Sequence, residues 1–462
     1  MPFPFGPPSS QHRRRRWRRV GLWLCLSLLF ASLWLTFPAS AAEAPPDGEV
    51  RNVLLVNLEN NLILREKAAD TPIYPSSSVK IMTGLLACRS LSQRLDEEVT
   101  ITASMLAGVE GRRLNPPLTA GETLTVRDLL FAAICGGYND AALALACLSE
   151  GSVAAFVEAM NEEAVRLNAT HTRYTNPTGI HDPAMATTAR DVSLIAREAY
   201  EDKLYMTVSS TRTYTVKATN IASPRQFTNR NSLISDTSQN YFNGYCKGMN
   251  AGMTDEGGWC VVTVCERGGA SNLCVVMGGA DVASGEPIPA YVYANRLLAW
   301  ANRAYAYQTV LEAGDVLDTL PVHMTGVSKS KADVVPVEAL KAYLPADADP
   351  RKDLTYTTVI HDGKLTAPLT AGQTVGTVSV LYQGRLVGRA DLTVTENFAQ
   401  NGFLVGLMGF RGYLTGRPFL ISVAIFLLSL LIYLRATSRP GGRYGIRNVR
   451  RRRKVRYVKR RY

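Results

Sequence analysis

The distribution of apolar and polar positions divides the chain into segments of different period. Asn52–Asn57 (NVLLVN) and Leu62–Leu64 are short apolar runs around the polar triplet Glu59-Asn60-Asn61, a pattern that predicts two strands joined by a turn. Ser78–Cys88 is apolar over a helical length and opens on serines after Tyr74-Pro75, which predicts a helix. Thr125–Leu148 and Val153–Leu167 repeat the helical spacing. Trp259–Val264 and Leu273–Met277 predict strands separated by a turn over Glu266–Asn272. Helices and strands outside strict alternation point to an α+β domain.

A second unit begins near Gly314. Its strand-like runs are Thr355–Ile360, Thr377–Tyr382 and Arg389–Val394, with turns at Asp362-Gly363 and Gln383-Gly384, as in a small β-sandwich or barrel. The polar stretch Lys329–Asp333 lies near the junction.

Two longer apolar runs lie outside these units. Val20–Phe37 follows the basic cluster Arg13–Arg19 and precedes the small residues Ala39-Ser40-Ala41, the layout of a secretory leader. An uncleaved amino-terminal anchor is the alternative. Pro418–Leu434 is uncharged for seventeen residues between Arg417 and Arg435, the short limit for a spanning helix. The expected organisation is therefore a leader at 1–41, an α+β domain at 42–313 and a β-sandwich at 314–397. A stalk or interfacial segment at 398–417, a membrane span at 418–434 and a basic tail at 435–462 complete it.

Charge changes the picture only at the ends. The chain has 462 residues and a formal net charge of +12. Six arginines precede Ala42 and thirteen basic residues lie from Arg435 onward, with no acid in either stretch. With those nineteen set aside, thirty-two basic residues face thirty-nine acidic ones. The intervening chain is mildly acidic, so a nucleic-acid-binding domain is not expected. By the positive-inside rule the basic tail is cytoplasmic and the domains lie outside. The tail can also attract anionic lipid headgroups.

Seven cysteines remain after the leader: Cys88, Cys135, Cys147, Cys246, Cys260, Cys265 and Cys274. The odd number leaves at least one unpaired, and several sit in apolar runs where a free thiol packs as a small hydrophobe. No Cys-x-x-Cys accompanies a second one or a histidine pair, so zinc is not expected.

The chemistry centres on Ser77-Ser78-Val79-Lys80. Positions i and i+3 share a helix face, so the Lys80 amine can reach the Ser77 hydroxyl. A helix amino terminus favours developing negative charge, and a buried lysine can shed its proton and serve as base. The combination suits an activated serine without a histidine. Ser328-Lys329-Ser330-Lys331 repeats the spacing in a charged, loop-like stretch and lacks that setting. A capping serine beside a solvated lysine is the bland reading of either match.

Further segments occur in order: Tyr74–Ala87 (YPSSSVKIMTGLLA), Val109–Leu130, Tyr138–Ala146 (YNDAALALA), Thr172–Ala196, Phe227–Ile234 (FTNRNSLI) and Gly248–Val262 (GMNAGMTDEGGWCVV). Together they resemble the D-alanyl-D-alanine carboxypeptidases, the low-molecular-mass penicillin-binding serine peptidases. The resemblance implies a penicillin-binding fold, with a five-stranded antiparallel sheet, helices packed on it and a helical subdomain carrying Asn139. It implies that Ser77 attacks the carbonyl between the last two D-alanines of a peptidoglycan stem peptide while Lys80 takes its proton. Asn139 would orient Lys80 or the substrate amide. The N–H groups of Ser77 and Met253 would form an oxyanion hole, Gly252 would let substrate lie close to a strand, and Thr254 would help bind its carboxylate. β-Lactams would acylate Ser77, and no metal or organic cofactor is implied. The resemblance also implies residence on the outer side of a bacterial cytoplasmic membrane.

Two positions depart from the family pattern. Its Ser-x-Asn reads Gly137-Tyr138-Asn139, and its Lys-Thr-Gly reads Asn250-Ala251-Gly252. The first removes a proton-relaying hydroxyl and the second a positive charge near the substrate carboxylate. Each lost charge-assisted contact is worth roughly 1.5–3 kcal/mol, or one to two orders of magnitude in rate. Lys247, three residues along a strand from Asn250, is expected to face away. Tyr138 offers a hydroxyl only if its loop is rebuilt. Two rival readings follow: a non-catalytic scaffold that binds peptidoglycan or cell-wall proteins, and a β-lactamase, for which no acidic deacylating residue can be assigned. His181, in GIHDP, is expected to hold a loop.

Overall fold

The computed structural model describes residues 44–235, 241–326 and 330–437. The leader and the basic tail beyond residue 437 lie outside the described residues. The chain forms two compact units. Of the described residues, one gathers those from 44 to 315 with Glu338–Thr358 and Thr377–Asp391; the other gathers those in 316–337, Val359–Gly376 and those from 392 to 437.

The first unit is built on β1 (Asn52–Asn57), β2 (Ile63–Lys67), β3 (Cys246–Thr254), β4 (Gly258–Arg267) and β5 (Ala270–Gly279). They form one antiparallel sheet in the order β2-β1-β5-β4-β3, so β3 is an edge. All six residues of β1 are buried, because both faces of the sheet are covered. Leu54 and Val56 point into a core with Val79, Ile81 and Leu85. Val53 and Leu55 point into another with Leu297, Leu298 and Trp300. The period-two alternation thus feeds two apolar cores rather than one core and solvent.

Helix α1 (Val79–Leu91) has ten buried residues of thirteen, so it is apolar all round and runs through the interior. Around it pack α2 (Asn139–Glu150), α3 (Val153–Arg166) and α4 (Ala189–Glu201). The opposite face of the sheet carries α5 (Pro289–Ala304).

The expected helix over Thr125–Leu148 is interrupted. It runs as Val126–Leu130, continues as a wider turn over Phe131–Cys135, and breaks before α2. The break falls at Gly136-Gly137, where Gly137 has φ +72°, in the left-handed region that glycine enters without penalty. The turn expected over Glu266–Asn272 is shorter than its polar sequence suggested. β4 and β5 extend to Gly268-Gly269, whose φ values of +62° and +83° suit a two-residue hairpin.

Within the second unit, strand Asp318–His323 pairs antiparallel with Lys331–Pro336 and parallel with Leu365–Thr366. Val334–Pro336 pairs with Leu392–Val394. The remaining expected strands occur as Leu354–Ile360, Thr374–Tyr382 and Arg385–Val394, and their residues are divided between the two units. Gln383-Gly384 is a two-residue turn with φ +49° and +77°. The segment expected as a stalk is helical: α6 (Gly402–Thr415) starts on Asn401, whose side chain accepts from the Phe403 and Leu404 N–H groups. Helix α7 (Arg417–Thr437) has 21 residues, a mean hydropathy of 2.3 and no buried residue, so it is long and apolar enough to cross a membrane.

Candidate active site

Ser77 lies in the tight turn Ser76–Ser78 that feeds α1. Ser76 has φ +51°, a left-handed conformation that costs a non-glycine residue about 1 kcal/mol or more. Gly179, itself at φ +79°, fits against this turn, and a Cβ there would overlap the Ser76 carbonyl oxygen. The bend leaves Ser77 partly exposed between two buried serines. A Cβ built on Gly252 would overlap Ser77 Oγ, so β3 can lie this close to the serine only because position 252 has no side chain.

Lys80 is one turn further along and 4% exposed. Its amine donates to the Thr178 carbonyl. Burial, reinforced by repulsion from Arg112 and Arg230, lowers its pKa to about 7. Thr178 is held by Asn176, whose Oδ1 accepts from Thr178 N (3.1 Å), Thr178 Oγ1 (2.9 Å) and Gly179 N (2.8 Å). Thr83 Oγ1, on α1, donates to the Pro177 carbonyl at 2.7 Å and fastens the same loop. The Asn-Pro-Thr-Gly run is thus a turn that presents a carbonyl to the lysine.

Asn139 opens α2 and is 3% exposed. Its N–H donates to the Arg112 carbonyl at 2.7 Å and its Nδ2 to the Glu110 carbonyl at 2.8 Å. Its Oδ1 is buried and has no partner. Asn250 on β3, 4% exposed, also keeps an unpartnered Oδ1. The site therefore combines a half-open serine, a lysine poised to be neutral and two amide oxygens without hydrogen bonds.

Residues 39–281, more than half of the chain, match the family model described as D-alanyl-D-alanine carboxypeptidase. The chain belongs to the D-alanyl-D-alanine carboxypeptidase family. Residues 305–400 match the C-terminal domain of penicillin-binding protein 5. The chain is 26% identical to D-alanyl-D-alanine carboxypeptidase DacC of Escherichia coli, covering 82% of this chain and 91% of the relative. It is 24% identical to DacF of Bacillus subtilis, covering 83% and 96%. The structure of penicillin binding protein 5 from Haemophilus influenzae superposes with a TM-score of 0.58 at 25% identity, covering 77% of this chain and 99% of that one.

Against the carboxypeptidase pattern, the surroundings of the two departures are specific. Tyr138 provides no hydroxyl at the serine. Its ring is buried edge-on to Phe227 with centroids 5.3 Å apart, and the Arg112 guanidinium covers it at 4.7 Å. Lys247 is absent from the site for a different reason than strand alternation. A bulge inserts one residue between Lys247, opposite Val264, and Asn250, opposite Val262, so simple alternation does not apply. The Lys247 amine is instead 4.0 Å from Glu266. Thr254 Oγ1 accepts from Gly257 N at 3.1 Å and so closes the turn after β3. His181 packs edge-on to Tyr74, centroids 4.5 Å apart, and lies 3.9 Å from Glu256.

Motif reading missed Asn176, Thr178, Arg112 and Arg230. The first two carried a turn signal and no chemical one. The two arginines reach the site from segments far from Ser77 in sequence, and no local spacing marks them.

Proposed function

We propose that this member of the family is a serine-type D-Ala-D-Ala carboxypeptidase that removes the terminal D-alanine from peptidoglycan stem pentapeptides through an acyl-enzyme on Ser77. The observation that carries the reading is the buried Lys80 amine, three residues after the serine, bonded to a neutral carbonyl and lowered to about 7. A neutral amine there can act as base near physiological pH.

In the proposed sequence Lys80 takes the Ser77 proton as Oγ attacks the carbonyl carbon of the penultimate D-alanine. The Ser77 and Met253 N–H groups stabilise the oxyanion. As the C–N bond breaks, the proton on Lys80 passes to the departing D-alanine amine. Water, deprotonated by Lys80, then cleaves the ester and restores Ser77. The unpartnered Asn139 Oδ1 is suited to accept an N–H of the substrate rather than to orient Lys80, whose partner is Thr178. Gly252 lets the peptide run along the open edge of β3. Helix α7 supports a single-pass anchor, with the catalytic unit on the outer face of a bacterial cytoplasmic membrane.

The test is intact-protein mass after exposure to a penicillin, comparing the wild-type protein with Ser77→Ala. The expected result is one covalent adduct on wild type and none on the variant, followed by D-alanine release from a synthetic pentapeptide. A folded wild type that stays unmodified at high penicillin concentration would overturn the enzymatic reading in favour of a peptidoglycan-binding scaffold. Steady penicillin turnover without D-alanine release would favour a β-lactamase.

A further inference from the structure

We propose that Cys246 and Cys265 are a disulfide-forming pair, which an external disulfide oxidant converts into a covalent staple between strands β3 and β4. The proposal takes from the carboxypeptidase reading only the placement of this unit outside the cytoplasm, where disulfide oxidants are met.

The two cysteines are direct partners on neighbouring antiparallel strands, and both are free thiols in the structure. The backbone bonds around them fix the kind of pair. The Glu266 N–H donates to the Tyr245 carbonyl, so the adjoining pair, Cys246 with Cys265, is one that exchanges no backbone bonds. Accordingly the Cys246 N–H turns away from β4 and donates to the Asn243 carbonyl at 2.9 Å. In such a pair the α-carbons are roughly 4.5 Å apart, within the roughly 4.4–6.8 Å that a disulfide spans. Both side chains enter the core shared with Leu297 and Leu298 of α5.

The other cysteines are placed differently. Cys274 enters the same core but pairs with Thr263, which makes it the diagonal neighbour of Cys265. A diagonal separation of roughly 7–8 Å is too long for the bond. Cys88, Cys135 and Cys260 lie in the opposite core, and Cys147 is on α2. Among the described residues no other two cysteines face each other across a ladder.

The surroundings prepare one sulfur for attack. The hydrogen bond from Cys246, opposed by burial and helped by Asn302, lowers the Cys265 pKa to about 7. Asn302 Nδ2, on α5, donates to that sulfur at 3.7 Å. The shared contact and burial raise the pKa of Cys246. β3 is an edge strand, so its first residues can lift and uncover the pair while the sheet stays closed. The Cys265 thiolate attacks one sulfur of the oxidant's disulfide, forming a mixed disulfide and releasing one oxidant thiol. Cys246 then loses its proton and attacks the Cys265 sulfur, expelling the other half of the oxidant as a thiol. Two protein thiols become one disulfide, and the oxidant's disulfide is reduced to two thiols that carry both protons away.

The staple completes the fastening of the hairpin that carries Asn250-Ala251-Gly252. Its turn end is already held, because Arg51 donates to the Glu256 and Gly257 carbonyls at 3.0 and 2.8 Å. Near its other end the ladder is interrupted by the bulge between Lys247 and Asn250. A bond from Cys246 to Cys265 closes that stretch into a covalent ring.

The test takes the full chain, purified reduced in detergent, and exposes it while folded to oxidised glutathione. Alkylation under denaturing conditions and peptide mapping then locate any link. The expected result is a Cys246–Cys265 link with the remaining cysteines alkylated. Cys246→Ser should instead stop at a stable glutathione adduct on Cys265. In urea the oxidised protein should unfold later than the reduced one, with the unfolding constant of the first unit lowered roughly 100-fold, as expected for a ring of this size. The double variant Cys246→Ala, Cys265→Ala should not respond to the oxidant. Alkylation of every cysteine after oxidation, a link between any other pair, or a link that leaves the urea midpoint unmoved would overturn the staple. Penicillin labelling of Ser77 decides the enzymatic reading separately. An adduct without the link defeats the staple alone, whereas the link without an adduct defeats the enzyme alone.

Discussion

Arg225 and Lys80 are both sealed inside the first unit, 3% and 4% exposed, but their surroundings differ. Arg225 meets Glu122 through two bonds of 2.6 and 3.0 Å and donates a third, 2.8 Å long, to the Pro116 carbonyl. Its charge is matched and its donors are occupied. Lys80 has one neutral acceptor, Thr178, and two arginines that repel it. A buried cation with a carboxylate keeps its proton and fastens segments together. A buried cation without one is held near the point of losing its proton, which serves chemistry rather than cohesion.

Breaking each site should therefore register in different measurements. Lys80→Met replaces the amine with an apolar chain of similar length. It is expected to slow penicillin acylation by about 1000-fold, within the range for loss of a general base, while unfolding in denaturant shifts by about 1 kcal/mol or less. Glu122→Gln is expected to do the opposite. It strands the buried Arg225 charge and should cost about 3–5 kcal/mol of unfolding free energy, with acylation by the remaining folded protein preserved. Equal effects of both substitutions on stability would remove the distinction.

The pH dependence sharpens the contrast with a smaller effect. Acylation should rise about tenfold per pH unit below 7 and level off above it, as Lys80 loses its proton. Stability carries a separate signature. The Lys80 pKa falls from 10.5 in the unfolded chain to about 7, so across that interval the unfolded state binds more protons and stability rises with pH. Burial pushes the Glu122 carboxyl up, but hydrogen bonds from Arg225 and Thr219 hold it below its ordinary value. The stability it contributes is present above its unfolded pKa and is lost as pH falls through the folded one. Denaturant midpoints across pH should show both regions in the parent protein. Lys80→Met should lack only the alkaline one.

Much of this arrangement was legible in the sequence, because local pattern carries local structure. The apolar run around Asn52–Asn57 and the helix after Ser78 needed only their own residues, whereas Ser77, expected on that helix with Lys80, lies in the turn Ser76–Ser78 that leads into it. Other features depended on contacts that a linear reading does not contain. The polar Glu266 and Arg267 looked like a loop, yet they continue β4 as the exposed end of a hairpin. The bulge before Asn250 removed the basis for placing Lys247 by alternation. Gly137 read as a missing serine, but the space beside it is covered by Arg230, a residue from another segment. The carbonyl that holds the lysine comes from Thr178, 98 positions away in the chain.

That last connection ties the state of the Lys80 amine to a loop rather than to the whole fold. The Asn176–Gly179 turn is a small cooperative element, fastened by the Asn176 side chain and by Thr83. Were it to swing away, Lys80 would meet water, regain its proton and lose the role of base proposed for it, while both cores stayed intact. Heating should therefore silence the enzyme before it melts the sheet, with full recovery on cooling as the turn closes again.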